Sequence, residues 1–102
     1  MSATGMSAPV FATAATGADV TRPLTFEGES LSLAKLDVQS RSQLVNMSMY
    51  DVEEIYNVSV VFLRRNGESD FHPAGRRLLE VDDTIAIFGG QKQIGRLVND
   101  NL

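Results

Sequence analysis

Four arginines that lie close together in the sequence are the side chains best suited to bind a ligand. Arg64 and Arg65 are adjacent, and Arg76 and Arg77 follow after a short interval. A guanidinium group donates paired hydrogen bonds to phosphate or carboxylate oxygens, so arginines that converge can hold a small anion. The first possible chemistry of this chain is therefore anion binding.

The same arginines could instead serve only as ion-pair partners. Arg65 would then pair with Glu68 across a hairpin, and Arg64 would be solvated. The later two arginines would pair with Glu80 or Asp82. Both interpretations stay open, because spacing alone does not show which charges meet.

His72 is the single histidine of the chain, and it precedes Pro73. As a catalytic base or metal ligand it would need partners, and only Asp70 is near it on the same strand face. The chain has no cysteine, which removes thiolate catalysis and cysteine-based zinc sites. We therefore predict that the chain is not an enzyme and holds no metal, and that His72 is a partly exposed strand residue or a ligand contact.

Two further residue pairs imitate binding motifs without completing them. Asp82-Asp83 supplies too few oxygens for calcium, which takes about six to eight ligands. Gly89-Gly90 lacks the Gly-Lys-Ser/Thr continuation of a phosphate loop. We predict a turn at the first pair, and a strand end followed by a helix at the second.

Composition and charge limit the class of protein. The chain has 102 residues, enough for one small domain, and 43% of them are hydrophobic. Its net charge of -4 argues against nucleic-acid binding, which needs a basic surface. No apolar run approaches the roughly 20 residues of a membrane helix, and the N-terminus lacks signal-peptide features. These features predict a cytoplasmic protein with no direct membrane insertion.

A predicted hairpin positions the candidate residues. A β-branched and aromatic run leads into Asn66-Gly67, a pair favoured in two-residue turns because both residues tolerate positive φ. The return strand is expected over Ser69–Pro73 and a third strand over Thr84–Phe88. With this turn Phe62 faces Phe71, which gives the hairpin a cross-strand aromatic pair.

Helices are predicted before and after this hairpin unit. Ser48 and Asp51 have N-cap spacing, and the apolar residues that follow predict a helix over Met49–Tyr56. A second helix is predicted over roughly Gln91–Asn99. Upstream, the pattern of Ser30–Val38 predicts a strand whose apolar phase changes midway. Either a bulge lies near the middle of this strand, at Ala34-Lys35, or both faces are partly covered, which would fit a dimer.

The order strand, helix, three strands, helix (β-α-β-β-β-α) predicts an α+β fold. It would be a small, mostly antiparallel β-sheet with two short helices packed on it. Residues 1–23 are predicted to be a flexible N-terminal tail or linker, because the first sixteen are uncharged and rich in small residues. Residues 24–102 are predicted to form the domain.

The C-terminal two thirds resemble the C-terminal domain of the regulator-of-potassium-conductance proteins, the RCK-C or TrkA-C domain. That family has an aliphatic strand ending in Arg, a short turn, a Pro, a Leu, a Gly-Asp pair and an aliphatic strand ending in Gly. Asp82 and Arg77 depart from the family's Gly and Thr. The matching residues, within roughly Ser30 to Val98, are Val60–Arg65, Asn66-Gly67, Pro73, Leu79, Asp82-Asp83 and Thr84–Gly89.

The resemblance implies a cytosolic, ligand-sensing domain of a potassium channel or transporter system. Such domains dimerise, and some bind cyclic di-AMP between the two copies. In those members an Asn-Ile strand start frames the ligand, with an Arg upstream and a His and a Pro downstream. The candidate ligand-binding residues here, which add the two hairpin arginines, are Asn57, Val58, Arg64, Arg65, His72 and Pro73.

The ligand and partners implied are less specific. The upstream Arg is missing, and Asp51, Glu53 and Glu54 would repel a dinucleotide phosphate, which argues against cyclic di-AMP. Another small anionic or nucleotide ligand, a cation or no ligand stays open. The expected partners are a second copy and a membrane channel or transporter subunit that holds the domain at the inner face of the membrane. Without a ligand, the chain would be a structural dimerisation module of a larger transport-associated protein.

Overall fold

One antiparallel sheet with helices on one face makes up the fold. The structure is a computed structural model that describes residues 11–13 and 18–102. Across these residues the strand order is β1-β2-β4-β7-β5-β6, and β3 pairs with β4 on the same edge as β2. The elements are β1 (Phe11–Thr13), β2 (Asp19–Thr21), β3 (Leu24–Phe26), β4 (Glu29–Asp37), α1 (Met49–Tyr56), β5 (Ser59–Arg65), β6 (Glu68–Asp70), β7 (Thr84–Gly90) and α2 (Gln91–Asp100).

The pairing of β4 with β7 is the centre of the sheet. It runs without a register shift from Leu31 opposite Gly90 to Asp37 opposite Thr84. β5 pairs with the other edge of β7, with a register shift at Val61. These two ladders place the start of β5, the end of β7 and the start of β4 side by side.

The core lies between the sheet and the two helices. Leu36 and Val38 of the β4 segment are buried on this face, whereas Leu31 and Leu33 are half-buried on the opposite face. The bulge considered for this strand is wrong, because its register is continuous, and the alternative of two partly covered faces is confirmed. The largest fully buried apolar side chains are Leu44, Met49, Leu63, Leu79, Ile85, Ile87, Leu97, Val38 and Val52.

Both predicted helices are present. α1 has the predicted limits, and the Ser48 hydroxyl accepts a hydrogen bond from the Asp51 N–H at 3.1 Å. Asn57 ends α1 in the left-handed region, with φ of 55°. α2 ends one residue later than predicted, at Asp100. Neither described helix has the length and apolar character needed to cross a membrane.

The hairpin also forms at the predicted turn. Asn66 and Gly67 have φ of 53° and 80°, and the Phe62 and Phe71 rings lie 5.1 Å apart between centroids. β6 ends at Asp70, earlier than predicted, because the His72 N–H donates to the Asp70 side chain and Pro73 has no N–H, so neither residue extends the ladder. β7 instead continues past its predicted end, because its two glycines still pair with β4.

The three N-terminal strands were not predicted. β1 and β2 fall within residues 1–23, the expected tail, and β2 pairs with β4 at Val20 opposite Ala34. β3 forms a short hairpin with β4 through Glu27 and Gly28, which both have positive φ. The α+β class, with a small antiparallel sheet and helices on it, is confirmed, whereas the domain limit at residue 24 stays a prediction.

Candidate ligand-binding groove

An open groove of about 310 Å³ lies where β5 begins and β7 ends. It draws residues from three strands and from the first turn of α2. The residues that line it are Glu29, Leu31, Asn57, Val58, Ser59, Phe88, Gly89, Gly90 and Gln93.

Two of the predicted site residues lie in this groove. Asn57 is the exposed C-cap of α1, and its left-handed backbone turns the chain into β5. Val58 follows directly and is buried. Asn is one of the few residues that adopt this backbone readily, and its amide offers both a donor and an acceptor to a ligand.

Gly89 allows β7 to approach Val58 at the base of the groove. A Cβ atom built on Gly89 would lie 2.9 Å from Cγ1 of Val58, closer than side-chain atoms pack. Gly90 is the N-cap of α2 and makes no side-chain capping hydrogen bond. The start of this helix, with the partial positive charge of its dipole, therefore lies at the rim of the groove.

The side chains of the groove are mostly neutral. Asn57, Ser59 and Gln93 provide hydrogen-bonding groups, and Leu31 and Phe88 provide apolar surface. Glu29 is the one charged side chain among the described residues that line it. The groove can bind a polar molecule by hydrogen bonds, but it offers no cationic side chain from these residues to neutralise a phosphate.

Arg65 lies outside the groove, at the opposite end of β5, where its side chain contacts the segment before β7. Its guanidinium donates hydrogen bonds to both carboxylate oxygens of Asp83, at 2.8 and 2.7 Å, and to the carbonyl oxygen of Leu78. It also forms an ion pair with Glu80 at 3.2 Å. The predicted pair with Glu68 is wrong, although the two residues are opposed in the hairpin. The Arg65 side chain reaches the buried Asp83 instead, where a charge-assisted hydrogen bond is stronger.

The other arginines make separate contacts. The Arg64 guanidinium lies 6.0 Å from the centroid of the Phe62 ring. Arg77 pairs with Asp70 at 2.9 Å, and not with either of the carboxylates predicted for it. Because Arg64, Arg65 and Arg77 each have a different partner, these contacts do not gather the arginines around one anion.

His72 and Pro73 follow β6 and do not line the groove. His72 is exposed, and its backbone N–H donates a hydrogen bond to Oδ1 of Asp70 at 3.1 Å. Pro73 is buried. Within the described part of the chain, no cluster of three or more His, Cys, Asp or Glu side chains could hold a metal ion. The structure thus brings together only the first two of the six candidate residues.

Several groove residues were missed from the sequence. Glu29, Leu31, Phe88 and Gln93 come from three elements that are distant in the chain. Only the Gly89-Gly90 pair carried a local signal, since adjacent glycines at a strand end often mark a close backbone approach.

Comparisons with known proteins identify the fold. No family model matches the sequence, and no curated protein matches it. The RCK C domain of the potassium transport protein KtrA, solved with cyclic di-AMP, matches 66% of this chain and 79% of its own, with 17% identity and a TM-score of 0.57. The RCK_C domain dimer of S. agalactiae BusR, also with cyclic di-AMP, matches 65% and 84%, with 18% identity and a TM-score of 0.58.

A larger share of this chain matches the RCK domain of GsuK. The match covers 84% of this chain and 19% of that one, with 16% identity and a TM-score of 0.61. BusR bound to its busAB promoter DNA matches over 33% of its own length. These likenesses show that the chain has an RCK_C fold, as the resemblance of its sequence predicted.

Proposed function

We propose that this chain is a regulatory domain of a potassium channel or transporter system, and that it dimerises and binds a small ligand in the groove. The observation that carries the proposal is the position of Asn57 and Val58. The sequence resemblance assigned these two residues to a ligand site, and they line an open groove in an RCK_C fold. Two similar domains were solved with cyclic di-AMP, which supports a ligand of nucleotide size.

The groove favours a polar ligand that is bound mainly by hydrogen bonds. The Asn57 amide, the Ser59 hydroxyl and the start of α2 can contact such a molecule. The negative charge of Glu29 would repel a phosphate group, and the predicted arginines lie outside the groove. Cyclic di-AMP is therefore the first compound to test, and we expect it to bind weakly. Other nucleotides and cations belong in the same panel.

The domain would work in the cytoplasm, as part of or attached to a membrane transport protein. Binding would act on that protein only if the ligand prefers one arrangement of the two copies. BusR also binds promoter DNA, but for this acidic chain we retain the prediction that nucleic acid is not a partner.

Light scattering and thermal-shift measurements test this proposal together. We expect a dimer whose Tm rises with one compound from a panel of cyclic di-AMP, other nucleotides and cations. Asn57→Gly should remove that rise, because Gly keeps the left-handed backbone but lacks the amide. Asn66→Gly is the matched control, since Asn66 has a similar φ but lies in the hairpin turn. Equal ligand affinity in both variants would contradict the site.

A ligand-free dimerisation module is the second candidate. It is favoured by the lack of a cationic side chain among the described groove residues. A dimer whose Tm is indifferent to the whole panel would support this candidate. A stable monomer would contradict both functions.

A further inference from the structure

The tip of the hairpin between β5 and β6 carries the one Asn-Gly sequence of the chain, Asn66-Gly67. This pair is chemically reactive as well as favourable for the turn. The backbone nitrogen of the residue after an Asn can attack Cγ of the Asn side chain and close a five-membered succinimide ring. Gly favours this ring closure, because it has no Cβ atom to crowd the attacking nitrogen. The hairpin tip is therefore a candidate site of covalent modification.

The structure leaves both reacting groups accessible. Asn66 and Gly67 are exposed, and a Cβ atom built on Gly67 would meet nothing within 4 Å. The last ladder pair is Arg65 opposite Glu68, so both turn residues lie beyond the ladder. Among the described residues, none accepts a hydrogen bond from the Gly67 N–H, and none forms one with the Asn66 side-chain amide. Neither the attacking nitrogen nor the amide under attack is held in place, and water reaches both.

The position of β6 makes this turn easy to distort. β6 has three residues and lies at the edge of the sheet, and β5 is its one neighbour among the described strands. β5 is held on its other side by β7, and Arg65 at its end is fixed by Asp83. Short edge elements open locally at a low free energy. Such an opening lets the Gly67 nitrogen reach Cγ of Asn66, while the rest of the sheet stays folded.

Two other exposed asparagines have a similar backbone but a different neighbour. Asn46 and Asn57 have φ of 71° and 55°, close to the value at the hairpin tip. The residues that follow them are Met47 and Val58, whose side chains hinder ring closure. The Met47 N–H also donates a hydrogen bond to the carbonyl oxygen of Leu44 at 3.0 Å. A positive φ and exposure are therefore not sufficient for the reaction.

The two asparagines near the C-terminus are protected by other contacts. Asn101 is buried, its Nδ2 donates to the carbonyl oxygen of Asp37, and its Oδ1 accepts from the Gln39 N–H. Asn99 lies in α2, where the N–H of the next residue belongs to the helical hydrogen bonds. All five asparagines lie within the described residues, and Asn66 is the one that combines exposure, an unbonded N–H after it and a following Gly.

We propose that Asn66 is a modification site, at which the native protein converts asparagine to isoaspartate. The Gly67 nitrogen forms a bond to Cγ of Asn66, the Cγ–Nδ2 bond breaks, and ammonia leaves with the proton of the Gly67 N–H. Solvent water then opens the succinimide. Attack at Cγ gives aspartate. Attack at the backbone carbonyl carbon breaks the bond from that carbon to the Gly67 nitrogen, which stays joined to Cγ, and the product is isoaspartate.

Isoaspartate alters the hairpin, because it adds one methylene group to the backbone of a two-residue turn. The turn fixes the register of the strands that it joins, so Glu68 loses its position opposite Arg65. The reaction also adds one negative charge beside Glu68. Since β5 is held by β7, the displacement falls on β6 and on the contact between Phe62 and Phe71.

Ageing of the purified full chain in mildly alkaline buffer tests the proposal by mass spectrometry. We expect an increase of about one mass unit, located at Asn66 by peptide mapping, at a rate at least about tenfold higher than at Asn46 and Asn57. The rate at Asn66 in the native protein should lie within about thirtyfold of the rate in a peptide of residues 63–69, because the edge of the sheet opens readily. An isoaspartate-specific methyltransferase, supplied with its methyl donor, should label the aged protein.

Asn66→Gly is the matched variant, because Gly keeps the left-handed backbone but has no side-chain amide. It should show neither the mass change at this position nor methyl labelling. Hydrogen exchange over Glu68–Asp70 should be at least about tenfold faster in the modified wild type, separated by ion exchange, than in aged Asn66→Gly. A mass change shared equally by the asparagines, a slower native rate than stated, or equal labelling of the variant would overturn the proposal. None of these measurements needs a ligand or a dimer, so their result is independent of the proposed function.

Discussion

Arg65 donates two hydrogen bonds to the carboxylate of Asp83, from Nε to Oδ1 at 2.8 Å and from Nη2 to Oδ2 at 2.7 Å. The same carboxylate accepts a hydrogen bond from the Glu80 N–H at 2.8 Å, and the Asp83 side chain is almost fully buried. This contact joins the end of β5 to the start of β7, far from the groove. It makes an arginine that looked like a ligand contact into a structural residue.

Asp83→Asn should lower the free energy of unfolding by about 3 kcal/mol, because it removes the buried partner of the Arg65 charge and leaves only the exposed Glu80 carboxylate to pair with it. Urea denaturation of the variant and wild type measures the loss. Glu80→Gln is the control, since its carboxylate is 61% exposed and the pair should contribute less than about 1 kcal/mol. Equal losses in the two variants would show that the contact with Asp83 is not the important one.

Acid should destabilise the domain through the same residue. Burial by itself raises the pKa of Asp83, but hydrogen bonds from Arg65 and the Glu80 N–H, with the charge of Arg65, lower the pKa below its ordinary value. The stabilisation is then complete above the pKa of the unfolded state, about 4, and is lost as the pH falls through the folded-state pKa. Denaturation between pH 7 and 3 should show a steeper decline for wild type than for Asp83→Asn. Parallel pH profiles would contradict this role.

Gly89→Ala should destabilise the domain by about 1–3 kcal/mol, because the new methyl group would crowd Val58. Adding Val58→Ala should recover part of this loss, since it removes the Cγ1 atom in the way. Gly95→Ala is the control: a Cβ atom there meets nothing within 4 Å, and Ala should stabilise α2 by about 0.5–1 kcal/mol. Thermal and urea denaturation distinguish a loss of stability from a gain. A Gly89→Ala variant as stable as wild type would show that the strand can move away from Val58.

Tyr56→Phe should cost about 1–2 kcal/mol, because the Tyr56 hydroxyl donates a 2.7 Å hydrogen bond to Oδ2 of Asp100. Burial, this hydrogen bond and the Asp100 charge raise the pKa of Tyr56 from 10.0 to about 12, although the positive charge of Arg96 acts to lower this pKa. The stabilisation is therefore present below pH 10 and is lost as the pH rises towards 12. Urea denaturation across this range should show a decline that the Phe variant lacks. The same decline in both proteins would exclude Tyr56 as its source.

Elements with a strong local signal could be predicted from the sequence. The Ser48 cap and left-handed Asn57 define α1, and Asn66-Gly67 defines the hairpin. Asp82 stands where the family that the sequence resembles has Gly, and its φ of 72° shows that this turn needs a residue that tolerates the left-handed region. In each case a few adjacent residues determine the backbone conformation.

Elements that depend on distant pairing could not be predicted in this way. β2 has only three residues, and it is a strand because β4 lies beside it. The prediction of a partner for Arg65 was wrong for a similar reason. A hairpin register identifies the opposed residue, Glu68, but it does not show that β7 lies on the other side of β5.

The candidate site shows the same division. Asn57 and Val58 were identified through the family resemblance and lie in the groove, whereas the four other candidates were chosen by residue type and lie outside it. Residue type indicates what a side chain can bind, but the order and register of the strands decide which side chains lie together.

The central ladder also has a consequence for folding kinetics. α1 and the hairpin of β5 and β6 involve neighbours in sequence, so they can form within about microseconds. β4 and β7 pair residues as far apart as Leu31 and Gly90, which requires closing a long loop before any of that pairing is gained. The rate of folding should therefore be set by the arrival of β4 on β7. Until then the edges of the unfinished sheet are open to other chains, and the groove, which needs both strands, does not exist.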